Sequence, residues 1–88
     1  METRVALIGI VIENTASVEK INELLHSCRE HIIGRMGIPY SKKDISIISI
    51  VLDAPPDAIS ALSGKLGMLP GVSTKTIYSK VINETSDW

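Results

Sequence analysis

Phenylalanine is absent, cysteine occurs once, and Tyr40, Tyr78 and Trp88 are the only aromatic residues in 88. Each scarcity removes an option. A single thiol, Cys28, forms no internal disulfide, which fits a reducing cytoplasmic compartment. A chain this short is one domain and buries only roughly 60–65% of its unfolded surface, so its stability is marginal unless something adds to the core. With disulfides excluded, metal binding and self-association remain.

Charge of one sign is also missing. Nine basic residues are spread among ten acidic ones, and no basic face emerges for nucleic acid to bind this chain alone. The longest wholly apolar run, VALIGIVI at residues 5–12, is far short of the ~20 residues that cross a bilayer. It is no signal-peptide core either, because Glu13 ends it and no small-residue cleavage site follows. No membrane association is expected. No repeat of solenoid length and no low-complexity tract is visible.

What remains is hydrophobic patterning. Residues 5–12 are apolar apart from Gly9 and rich in β-branched types, as in a strand buried on both faces. ENTAS at residues 13–17 is a turn whose Asn14, Thr15 and Ser17 are all suited to helix N-caps. Val18, Ile21, Leu25 and Cys28 form one stripe, which predicts an amphipathic helix over residues 17–30. Residues 31–38 read as a glycine-broken strand, and 45–52 (ISIISIVL) as a second continuous apolar strand. Pro55 and Pro56 open a helix with the stripe Ile59, Leu62, Leu66, which Gly67 is expected to close in a left-handed cap. An alternating, half-polar strand follows over 72–82.

The order β-α-β-β-α-β predicts an α+β fold. This is the ferredoxin-like (ACT-like) sandwich, a four-stranded antiparallel sheet with two helices on one face. The domain is expected to span residues 1–82, with a frayed tail at 83–88. The two apolar runs belong in the middle of the sheet, and the glycine-broken and polar strands at its edges. Two helices cover only one face of such a sheet. Val5, Leu7 and Val11, with Ile45, Ile47 and Val51, would then form a bare apolar face of the kind that marks an interface. A homodimer or homotetramer is the expectation.

No catalytic constellation is present. His26, Cys28 and His31 have metal-binding chemistry, but residues 26 and 28 lie about 200° apart on a helix, and two ligands do not close a structural site. Ser63-Gly64-Lys65 lacks the preceding glycines of a phosphate loop. Glu13, Asp53 and Asp57 have no paired-carboxylate spacing. No catalytic residue, metal or cofactor is therefore assigned, and the chain does not read as an enzyme. Asn14, Thr15 and Ser17 sit where a helix N-terminus opens, which makes them candidates for holding a small or amino-acid-like anion. In HIIGRMGIPY, Gly34 and Gly37 allow a bulge or a close backbone approach at a sheet edge. Strict alternation there sends Ile32, Gly34, Met36 and Ile38 toward the helices and Arg35 to the open face. Gly34, Arg35 and Gly37 are thus interface candidates, and Arg35 also an anion ligand.

The strings VALIGIVIENTASVEKINELL, HIIGRMGIPY and ISIISIVLDAPPDAISALSGKLGMLPGVSTKT resemble the small regulators associated with iron-only hydrogenase systems, over residues 3–81. These are ACT-like proteins, broadly related in shape to the ligand-sensing domain of the nickel-responsive repressor. The resemblance implies the same βαββαβ fold, a multimer and a regulatory role. Two features do not carry over. Amino-acid-binding ACT domains have a glycine in the turn after the first strand, where Ala16 stands nearest here. The repressor's nickel site draws on several sheet histidines that this chain lacks. The expected function is a regulatory module that senses a small ligand at a subunit boundary. The alternative is an interaction module that binds no ligand.

Overall fold

A computed structural model of the protein describes residues 2–80. Strand β1 (Arg4–Ile12) leads through a short 3-10 turn to helix α1 (Val18–Ser27), then to strands β2 (Ile32–Tyr40) and β3 (Ile45–Ala54), helix α2 (Pro56–Gly67) and strand β4 (Val72–Tyr78). The sheet order is β2-β3-β1-β4, and all three pairings are antiparallel. This is the ferredoxin-like topology, with the apolar strands β1 and β3 in the middle. The end of the expected last strand and the tail at 83–88 lie outside the described residues.

Alternation along the central strands builds the core. Ala6, Ile8, Ile10 and Ile12 of β1 lie on the same side as Ile48, Ile50, Leu52 and Ala54 of β3, and all are buried. Onto that surface α1 sets Ile21 and Leu25, and α2 sets Ile59, Leu62 and Leu66. Val18, Leu24 and Cys28 pack at the margin. Cys28 is half-buried at the end of α1.

Helix α2 does not end as the sequence suggests. Gly67 is its last helical residue, and Met68 follows in right-handed geometry. The glycine with positive φ is Gly71, at φ 70°. Its carbonyl accepts from the Glu13 N–H at 2.7 Å. A Cβ there would lie 2.6 Å from the Asn14 Cβ and 2.9 Å from the Asn14 nitrogen. Both the backbone conformation and the packing therefore require glycine. Replacing Gly71 with Ala should cost about 2 kcal/mol or more, from left-handed strain plus the clash. Urea denaturation at fixed protomer concentration measures this, and a loss below about 0.5 kcal/mol would show that the turn relaxes freely.

Candidate functional site

Three places carry the candidate chemistry: the turn after β1, the cleft between α1 and β2, and the uncovered face of the sheet.

The turn after β1 is engaged with the chain itself. The Asn14 side chain accepts the Ala16 N–H at 2.9 Å and so caps the 3-10 turn Thr15–Ser17. Ser17 is the one buried polar residue of the described core, and its hydroxyl donates to the Pro70 carbonyl at 2.7 Å. With the Glu13–Gly71 bond, these contacts seat the turn at residues 69–72 against the start of α1. The groups expected to receive an anion instead hold two loops together. Thr15 is exposed.

Strand β2 departs from strict alternation. It pairs Ile32 with Leu52, then Gly34 with Val51, and Ile33 is the extra residue of a β-bulge. The pairing continues as Arg35 with Ile50, Met36 with Ser49, Gly37 with Ile48 and Ile38 with Ile47. From Gly34 onward every side chain therefore points opposite to the expectation. Arg35 and Gly37 lie on the helix side, while Gly34, Met36, Ile38 and Tyr40 lie on the open face. The physical cause is parity: one unpaired residue shifts a two-residue period by half. Of the three interface candidates, only Gly34 is on the open face.

On the helix side, the Arg35 guanidinium donates to Asn22 Oδ1 of α1 at 2.9 Å. That contact stands between two clefts. One, about 350 Å³, is lined by Asn22, Leu25, His26, Arg29, Ile32 and Arg35. The other, about 270 Å³, is lined by Ile12, Val18, Gly37 and Ile48 together with Asn22, Arg35 and Ser46. Neither is lined by Asn14, Thr15 or Ser17, so the structure does not unite Arg35 with the other anion candidates. Asn22 and Arg29 did not stand out in the sequence. Their signal is the spacing 22, 25, 26, 29, which runs along one side of α1 into the turn that follows it; Asn22, His26 and Arg29 are polar.

The open face carries Val5, Leu7 and Val11 of β1, Ile45, Ile47 and Val51 of β3, Met36, Ile38 and Tyr40 of β2, and Ile77 of β4. Exposure reaches 58% at Met36 and 62% at Ile77. Two shallow grooves of about 220 and 320 Å³ cross it. The charged strand residues on this face are Asp53 and Lys75, of opposite sign. Among the described residues no three His, Cys, Asp or Glu side chains gather as a metal site, and no helix is long and apolar enough to cross a membrane.

Topology, register and one bare sheet face place the chain in the class of small ferredoxin-like βαββαβ domains. A family model described as "Iron-only hydrogenase system regulator, putative" (TM1266-like) matches residues 4–76. The chain belongs to this family. The uncharacterized protein TM1266 from Thermotoga maritima is 40% identical, with a TM-score of 0.86, over 90% of this chain and 100% of that one. The C-terminal domain of the MgtC protein from Mycobacterium tuberculosis has a TM-score of 0.69 at 12% identity, covering 93% of this chain and 94% of that one. The apo form of CPII from Thiomonas intermedia K12, a nitrogen regulatory PII-like protein, has a TM-score of 0.55 at 16% identity, covering 92% and 95%. These last two share the fold. No curated protein matches the chain.

The bulge makes a specific prediction. Removing Ile33, which is 62% exposed, leaves a regular ladder with every pairing from Gly34 to Tyr40 unchanged. That deletion should cost no more than about 1 kcal/mol. Removing Met36 instead turns Ile38 and Tyr40 toward the helices and should abolish cooperative folding. Thermal melts with amide NMR spectra separate the two; equal losses would show that the extra residue does not set the parity of β2.

Proposed function

We propose that the chain is a non-enzymatic regulatory module of an iron-only hydrogenase system, acting in the cytoplasm as a homodimer or homotetramer assembled through the open sheet face. A ligand-sensing role at the edge of that assembly is part of the reading. The observation that carries it is the continuous apolar surface on β1, β2 and β3, opposite two helices that cover only the other side. Four strands, three of them nine or ten residues long, give a face about 19 Å wide and about 30 Å long. With side-chain relief, that approaches the ~800 Å² which each partner buries in a standard interface. A second copy fits better than an unrelated partner, because the face carries one charge of each sign, Asp53 and Lys75, and is otherwise nearly uncharged. Family membership supports the regulatory role.

A second reading, an interaction module without ligand, draws support from the turn after β1, whose polar groups are occupied by the chain's own 69–72 turn.

Light scattering on the full chain at micromolar concentration should give at least twice the chain mass. Leu7→Lys sets an unpaired ammonium in the middle of the proposed contact and should raise the dissociation constant by about 100-fold or more. A monomeric wild-type protein, or a Leu7→Lys variant of unchanged mass, would refute assembly through this face.

A further inference from the structure

The Asn22–Arg35 contact stands between two adjoining compartments, and both residues line each of them. On one side, Arg29 and Arg35 line the cleft with His26, and no carboxylate is among the lining residues. Arg35 uses one guanidinium nitrogen on Asn22. Arg29 uses one on the His26 carbonyl, 3.0 Å away at the end of α1. Each guanidinium carries five N–H donors, so most of both remain to be given. Among the described residues the ion pair formed is Lys20–Glu23, and neither arginine belongs to it. On the other side, Gly37 points toward the helices where a side chain would lie, and a Cβ built there meets nothing within 4 Å. The missing side chain keeps the space between β2 and α1 open, over Ile12, Val18 and Ile48.

We infer that the α1–β2 cleft binds a small organic acid, its carboxylate or phosphate held by Arg29 and Arg35 and its apolar body lying over Gly37. Planar guanidinium forks suit a two-oxygen anion, and two of them flank one space. The same lining disfavours amino acids, since it offers an ammonium two guanidinium groups and no carboxylate. This rests on the ligand-sensing part of the proposed function and moves the ligand away from the turn after β1. The inference also gives a role to the bulge, which turns Arg35 and Gly37 to this side.

The test titrates the full-length protein with 4-methyl-2-oxopentanoate, leucine and inorganic phosphate, followed by amide NMR shifts. The 2-oxo acid should bind saturably, with shifts centred on Asn22, Arg35 and Gly37. Leucine, with the same apolar body and an added ammonium, should bind at least about tenfold more weakly. Arg29→Ala and Arg35→Ala should each weaken the 2-oxo acid by about tenfold or more. Gly37→Leu fills the apolar compartment, so it should abolish 2-oxo acid binding and leave phosphate binding in place. Thermal melts confirm that each variant is folded. Saturation missing up to about 10 mM, leucine bound as tightly as the 2-oxo acid, or unchanged affinity in both arginine variants would overturn the inference. Light scattering on the same samples keeps the two ideas apart. A monomer that binds the acid refutes the assembly alone, and an oligomer that binds none refutes this site alone.

Discussion

One unpaired residue in an edge strand decides what both sides of this sheet present. A strand has a period of two, so its faces are fixed by parity. Ile33 breaks that parity between Ile32 and Gly34. Downstream, a charged residue and a glycine turn inward to the helix layer, and Met36, Ile38 and Tyr40 turn outward. Without that shift, two large apolar side chains would press on α1 and a guanidinium would sit in the middle of an otherwise apolar face. Burying such a group without a partner is costly.

The same device marks where sequence reading stopped. The central strands were legible because they are largely apolar, and Arg4 to Ile12 pair with Ser46 to Ala54 in a regular ladder. Their edge neighbours were legible as edges: β2 from its glycines, β4 from its polar alternation. Which way β2 faced was not. Glycine at positions 34 and 37 signals that a bulge is permitted, but no local preference says whether or where the extra residue falls. That choice is made across the sheet, by whether Met36 and Ile38 or Arg35 and Gly37 suit the space beside α1. A helix face holding Asn22 and Arg29 suits the second pair.

What the turn after β1 contacts was hidden for a different reason. Asn14 and Ser17 have the right chemistry for an N-terminal anion site, and the sequence placed them correctly. Asn14 caps its own turn at Ala16, but the partner of Ser17 is more than fifty residues away. Pro70 receives the Ser17 hydroxyl, and Gly71, held at positive φ, lets the two loops approach within reach of a backbone bond. Local sequence shows donors and acceptors; it does not show that another loop arrives to satisfy them. Gly71 carried the hint, since LPGV reads as a tight turn, and what it turned against became visible only in the fold. The closing of α2 shows the same exchange, because the left-handed glycine lies four residues beyond the one the helix pattern suggested.

Strand β2 also ties the two proposed surfaces into one object. Arg35 and Gly37 line the cleft toward α1, while Met36 and Ile38, their chain neighbours, stand on the face proposed to meet a second copy. An edge strand is held by one ladder rather than two. A ligand that fixes Arg35 against α1 fixes the backbone that carries Met36 and Ile38. Two events that order the same segment share its conformational cost, and whichever comes first lowers the cost of the second. The coupling is reciprocal by linkage. An acid in the cleft would then tighten assembly by the same factor by which assembly tightens the acid, and such coupling would need no separate hinge, because one strand would carry both.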